Sequence, residues 1–364
     1  MITITPIYFI KSKSRYPIVF RNGSVEYQFI KYLVINIRNK SYRTLYNHAL
    51  AYKYLVQYLY EIKKEDFVML LKNNPESVLE CLKSFDLWLN DKLKSKTNFN
   101  IIIDNVCSYL QWYFYYNRFN FNQNRLNNVI QNLKFSKYKI KYIPSYNSLN
   151  TNDITRILNL CNPDNIENPF KHKNRVRNYL VFLILIETGI RLSELLLLRA
   201  IDFIRNDNLF FIKIDNNINE KDIRRNTPSY KNSYSKRIIS ISDKTYLLFE
   251  EYLFYYRKNN GTIHYLFTSD QNKPLSKSSV QGIIKEISKR TSIKFSAHTL
   301  RHYFAESMLE FLIDKKDLDM ERAKDELRVI CGWSFNSNMP SYYARRMISK
   351  MANKTNMQRI LNYE

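Results

Sequence analysis

Along most of the chain, apolar residues recur every three or four positions, and only a few short runs alternate every two. The pattern predicts a mainly helical protein with a few short strands. Residues 1–22 alternate weakly between apolar and polar, punctuated by Pro6 and Pro17, and read as an N-terminal arm or a short strand. From about Val25 the period becomes helical. Ser41 is placed to cap a helix whose apolar face runs through Leu45, Ala49, Tyr52, Val56 and Leu59. A second helix is predicted over about 75–94, with Val78, Cys81, Leu82, Phe85 and Trp88 inward, and a third over about 100–116. Residues 23–135 thus read as one compact helical domain.

The stretch 136–148 is lysine-rich, lacks acids and has no helical stripe, so it reads as a basic linker extended around Pro144. A second domain, 149–364, follows. Its first helix, capped by Thr151 or Asn152, is predicted to end near Leu160. A long apolar helix over 174–187 leads through a turn at Gly189 to Arg191 and a helix over 192–199. Leu209–Ile214 and Arg237–Ile241 are β-branched runs that read as strands, separated by a polar, basic stretch at 216–236. Further helices are predicted over about 244–257 and 276–289, with a last one near 347–362.

Charge changes this picture. The chain has 57 Lys and Arg against 33 Asp and Glu, a net charge of +24. A codon bias toward Lys, Asn, Ile, Tyr and Phe explains the lysines but not the shortage of acids. A polyanionic partner explains both, because clustered cations displace counterions from phosphates. The aromatic run Tyr109–Tyr116 has two readings, stacking against bases or packing in a core. Four separated cysteines, with no CxxC pair, read as reduced thiols rather than a disulfide frame or zinc site. The N-terminus lacks a signal-peptide pattern and no apolar run is long enough to span a bilayer, so a cytoplasmic, DNA-associated protein is expected. Only five glycines occur, in neither a GxGxxG nor a Walker-type arrangement, which disfavours an ATP-driven enzyme.

Candidate chemistry gathers late in the chain. SAHTLRHYFAESML sets His298, Arg301 and His302 at i, i+3 and i+4, on one face of a helix. Downstream, CGWSFNSNMPSYYAR places Trp333 nine residues before Tyr342, with Tyr343 beside it; upstream, ETGIRLSELLLLR places Arg191 ahead of an apolar helix. Taken singly, each is unremarkable: a lone arginine or HxxRH is usually a solvated face, and one tyrosine among 29 carries no signal. Two arginines, a histidine and a phenol in a basic protein suggest a tyrosine attacking a phosphodiester.

The order and spacing of these motifs resemble the tyrosine recombinase (phage integrase) family, well over about 147–364 and by position in the helical N-terminal half. The resemblance implies a two-domain clamp, mainly α with a small antiparallel β-sheet: a helical core-binding domain joined to a catalytic domain. It implies Arg191, His298 and Arg301 as phosphate ligands, Trp333 in place of the family's more common histidine, and Tyr342 as nucleophile, with Tyr343 the alternative. Lys231 matches the family's β-hairpin lysine, with Lys236 as second choice; Glu194 and His302 match supporting positions. It further implies site-specific cleavage and rejoining of double-stranded DNA without metal, cofactor or ATP, by a homotetramer on two DNA sites, with room for accessory DNA-bending proteins. A non-catalytic DNA-binding protein of the same fold and a type IB topoisomerase-like or telomere-resolving enzyme are the alternatives. One departure is a long, charged insert near Asp314–Asp325 between Arg301 and Trp333, expected to be a lengthened helix or a surface loop.

Overall fold

The computed structural model describes residues 2–9, 14–64, 75–117, 122–139, 149–215, 222, 224, 228, 230, 233–257 and 264–362. The chain divides into two compact units, Met1–Ile143 and Pro144–Glu364. Both are mainly helical, and each carries a three-stranded antiparallel sheet.

In the first unit, strands β1 (Ile2–Phe9) and β2 (Ser14–Arg21) pair in register Ile2↔Arg21 to Phe9↔Ser14, with β3 (Ser24–Val25) at the edge. The N-terminal residues therefore belong to a sheet. Val19 of β2 is fully buried in the helical core. Helices Tyr42–Lys63 and Lys96–Tyr116 form that core's centre. Ser41 caps the first of them by accepting from the Thr44 amide, and Leu45, Ala49, Tyr52, Val56 and Leu59 are all buried. Tyr52 stacks on Phe29 with ring centroids 4.5 Å apart and donates a 2.7 Å hydrogen bond to buried Glu26.

The helix expected over 75–94 is broken. It runs Pro75–Cys81, tightens into a 3-10 turn at Leu82–Ser84, and resumes as Phe85–Lys92. A 3-10 turn eclipses positions i and i+3, and this one buries Leu82 and Phe85 together. In the aromatic run, Tyr109, Trp112, Tyr113 and Phe114 are core, whereas Tyr115 and Tyr116 are about half exposed. Of the lysine-rich segment, Tyr138 packs edge-on against Phe99 and exchanges hydrogen bonds with Asn100. Residues 140–148 lie outside the described residues.

The second unit is built around the helix His172–Thr188, apolar on all sides through Tyr179–Leu185 and correspondingly buried. Helix Thr151–Cys161 packs on it, and its cap is Asn150 rather than Thr151 or Asn152. Asn150 accepts from the Asp153 amide while the Asp153 carboxylate accepts from the Asn150 amide, a reciprocal pairing that needs a carboxylate three residues beyond the cap. Strands β4 (Phe203–Asn206), β5 (Leu209–Ile214) and β6 (Arg237–Ile241) form the antiparallel sheet. Ile212, Ile214, Ile239 and Ile241 point into the core. Helices Asp243–Glu251, continued by a π-helical turn to Tyr256, and Lys277–Thr291 follow.

The charged insert is a short loop, 315–319, followed by the first turns of a further helix. Helix Ala297–Asp314 ends, and Asp319 caps a further helix, Met320–Cys331, by accepting from the Glu321 and Arg322 amides. The last helix begins at Met339, with Pro340 in its first turn, and reaches Leu361. It starts earlier than its period suggested, so Tyr342 and Tyr343 lie on its N-terminal turn. Among the described residues no helix is long and apolar enough to cross a membrane.

Candidate active site

Three backbone turns build the site. The first is at Gly189, where φ is +56°; it caps the central helix and lets Arg191 begin the helix Leu192–Leu197. A side chain at position 189 would overlap the Phe304 ring, so both the dihedral and the space call for glycine. The second is at Gly332, φ +60°, which caps Met320–Cys331 and turns the chain into Trp333. The third is the short 3-10 turn Ser233–Ser235 leading into β6.

Buried Glu194 joins these turns. Its carboxylate accepts from the Arg191 amide (2.9 Å), from Arg191 Nη1 (2.7 Å) and from Arg237 Nη2 (2.9 Å). Burial pushes the carboxyl pKa up, but Arg237 and Arg191 outweigh that and hold it below the ordinary range. Arg191 also donates to Gly332 O (3.2 Å). Arg301, itself buried, donates from Nη1 to Gly189 O and from Nη2 to Cys331 O, both at 2.6 Å, and its guanidinium lies 5.3 Å from the Trp333 ring centre. Arg191 and Arg301 each spend two of five N–H donors on these bonds. Two guanidiniums thus pair with one buried carboxylate, and a third, Arg301, lies near enough to feel it, leaving an excess of positive charge.

Arg237 was not legible as a site residue from the motifs. Its Nε donates to Ile330 O (2.8 Å) and its Nη1 to Ser235 O (2.7 Å), so one side chain ties β6, Glu194 and the end of Met320–Cys331 together. Its phase does carry a signal. Arg237 falls two and four residues before the inward-facing Ile239 and Ile241, an arginine on the buried face of a strand.

Helix Ala297–Asp314 supplies the histidines. Ser296 caps it by accepting from the Thr299 amide, which fixes the first turn carrying His298. His298 and His302 sit one turn apart with Nε2 atoms 2.9 Å from each other. His302 Nδ1 lies 2.7 Å from the Tyr343 hydroxyl. Burial, reinforced by His298, Arg346 and Arg301, lowers the His302 pKa to about 4. Tyr343 is buried and its ring stacks on Trp333, centroids 5.7 Å apart at 13°. Tyr342 is half-buried, edge-on to His302 at 6.3 Å and to Tyr343 at 5.1 Å.

The fold therefore brings Arg191, Glu194, His298, Arg301, His302, Trp333, Tyr342 and Tyr343 into one neighbourhood. Lys236 is half exposed at the start of β6, with Nζ 3.4 Å from Asp215. Lys231 lies outside the described residues. Among the described residues, no group of three or more His, Cys, Asp or Glu side chains is arranged to hold a metal ion.

Residues 147–322 match the model of the phage integrase family, a span that includes Arg191, His298 and Arg301 and ends before Trp333. Transposase A from transposon Tn554 of Staphylococcus aureus is 25% identical over 315 residues, 78% of either chain. Tyrosine recombinase XerH of Campylobacter jejuni is 30% identical over 173 residues, 45% of this chain and 41% of that one. Among solved structures, XerH site-specific recombinase bound to its difH substrate superposes with a TM-score of 0.57 at 19% identity, covering 90% of this chain and 83% of that one. The Tn1549 transposon integrase in complex with circular intermediate DNA gives 0.56 at 17%, covering 89% and 98%. Residues 147–322, which hold the first arginine and the histidine motif, are thus a domain of the phage integrase family, and the chain as a whole is similar to tyrosine recombinases.

Proposed function

We propose that the protein is a site-specific DNA recombinase that cleaves and rejoins double-stranded DNA through a covalent 3′-phosphotyrosine, integrating or excising a mobile element. The observation that carries this reading is the gathering of three guanidiniums near a single carboxylate, which pairs with Arg191 and Arg237, set beside a tyrosine pair. Such a site is short of negative charge, and a phosphodiester supplies it. Arg191 and Arg301 retain donors to clamp the non-bridging oxygens, which gather charge as the phosphorus becomes five-coordinate. Tyr342 Oη attacks phosphorus, the bond to the 5′-oxygen breaks, and the phosphotyrosine conserves the bond for religation without ATP. The phenolic proton passes to His298. A hairpin lysine, Lys231 or else Lys236, gives the leaving oxygen its proton. Trp333 does no acid–base chemistry; its indole N–H can donate one hydrogen bond.

Tyr342 is the nucleophile in this reading, because Tyr343 already spends its hydroxyl on His302 beneath the surface. Similarity to a transposase and a transposon integrase supports a mobile-element role over replicon resolution. The end of the last helix exposes Ile348, Met351, Met357, Ile360 and Leu361, an apolar set suited to docking on a neighbouring protomer of a tetramer.

Trapping on a nicked suicide substrate made from the ends of the protein's own element tests the reading. A covalent adduct on a denaturing gel, lost in Tyr342→Phe, is expected. DNA that binds but never becomes attached would favour a non-catalytic DNA-binding role. Relaxation of supercoiled DNA by a monomer would favour the topoisomerase-like alternative.

A further inference from the structure

The hydrogen-bonded chain Tyr343–His302–His298 goes beyond a phosphate clamp. Resting on the recombinase reading, we propose that Tyr343 is a positioning residue. Through His302, it lets His298 present either a hydrogen or a lone pair at Nδ1, and so act as donor or as base.

The geometry supplies the argument. Tyr343 Oη lies 2.7 Å from His302 Nδ1, and His302 Nε2 lies 2.9 Å from His298 Nε2. Each link contains one proton. The groups facing this chain are His298 and Arg301 on its own helix, with Glu306 further along it, and Tyr342, Tyr343 and Arg346 on the last helix; Cys331 faces Tyr343. The arginines and the burial together disfavour a second proton on His302, so it carries one.

Two arrangements then satisfy every link. In the first, Tyr343 donates to His302 Nδ1, His302 Nε2–H donates to His298 Nε2, and neutral His298 carries its own proton on Nδ1. In the second, His298 Nε2–H donates to His302, His302 Nδ1–H donates to the Tyr343 oxygen, and His298 Nδ1 bears a lone pair. Only the second can accept the Tyr342 proton at Nδ1, and the resulting imidazolium keeps both links intact. A hydroxyl can donate or accept, so Tyr343 terminates either arrangement without leaving a buried polar atom unpaired. Phenylalanine could do neither. In Tyr343→Phe, the second arrangement would leave an unpaired N–H on His302, and the first would leave a bare nitrogen. Stacking on Trp333 holds the Tyr343 ring in the orientation that the chain requires.

The test combines single-turnover cleavage with nitrogen-15 NMR of the histidines. Tyr343→Phe is expected to form the adduct through Tyr342 about tenfold more slowly, the size expected of one lost buried partner, and with a displaced pH profile. In a His298→Ala background, which has no base to orient, the same substitution should have almost no further effect. A purely structural contribution would persist there and would overturn the proposal. An unchanged rate and pH profile would overturn it too, as would an adduct that depends on Tyr343 rather than Tyr342. If Tyr343→Phe does not fold, the wild-type spectrum decides. The proton on His302 should move from Nε2 to Nδ1 as His298 titrates; a proton that stays on one nitrogen sinks the idea. Absence of any wild-type adduct would instead remove the recombinase reading on which the proposal rests.

Discussion

At the scale of single residues, the site depends on Glu194. Its side chain is 0% exposed and its partner Arg237 4%, so Arg237 would be an uncompensated buried charge without Glu194. Breaking a buried pair by removing one member costs about 3–5 kcal/mol. Glu194→Gln is therefore expected to lower stability on that order and to loosen Arg191. Its pH dependence has a definite sign. The folded carboxyl pKa is depressed, so the pair's contribution is present above the unfolded carboxylate pKa and lost as pH falls through it toward the folded one. Melting temperatures followed from pH 7 down to pH 3 should fall for the wild type and flatten for Glu194→Gln; parallel curves would show that this carboxylate is not the coupled group. Arg237→Lys should behave as a loss as well, because one ammonium cannot span Glu194, Ile330 O and Ser235 O as a planar fork does.

At the scale of elements, two glycines turn the chain at the ends of helices, and their surroundings separate them. Gly189→Ala meets both a left-handed φ and the Phe304 ring fixed in the core, and should cost about 3 kcal/mol. Gly332→Ala has the same dihedral penalty, but its methyl group would lie 2.6 Å from Arg237 Nη1, the end of a side chain. It should cost about 1 kcal/mol in stability while displacing Arg237, so its larger effect should be on cleavage. Urea midpoints and cleavage rates measured on both variants check this, and equal stability losses would contradict it. The cap at Ser41 was legible because it acts locally, accepting from an amide three residues on. The break at Leu82–Ser84 and the early start of the last helix were not. The periodic pattern continues through the first, and apolar residues are sparse in the first turns of the second, so packing decided both.

At the scale of the whole molecule, the excess of 24 positive charges is either a consequence of codon composition or a surface for polyanions. Salt separates these. A recombinase that wraps duplex DNA should lose affinity with a slope of log K against log salt of about −6 or steeper, which corresponds to roughly seven phosphate contacts. Titration of a duplex from the element's ends between low and physiological salt measures it, and a slope shallower than about −2 would leave the charge unexplained by DNA. The same scale explains which parts of the aromatic run do what. Tyr109, Trp112, Tyr113 and Phe114 build the first core, and only Tyr115 and Tyr116 remain outside it.

Residue spacing by itself determined the helical class, the paired strands at Leu209–Ile214 and Arg237–Ile241, and the motif order that identifies the family. These depend on periodicity and on side chains a few positions apart, which sequence displays directly. Only the tertiary structure decided which groups from separate elements meet. It carries Arg191 to Gly332 and Arg301 to Gly189, and makes Glu194 a hub for two guanidiniums. It buries Tyr343 against Trp333 while leaving Tyr342 half-buried, a difference between adjacent tyrosines that no local pattern contains. Neighbours on a helix point about 100° apart, and which of the two meets the core depends on the surfaces that fold against it.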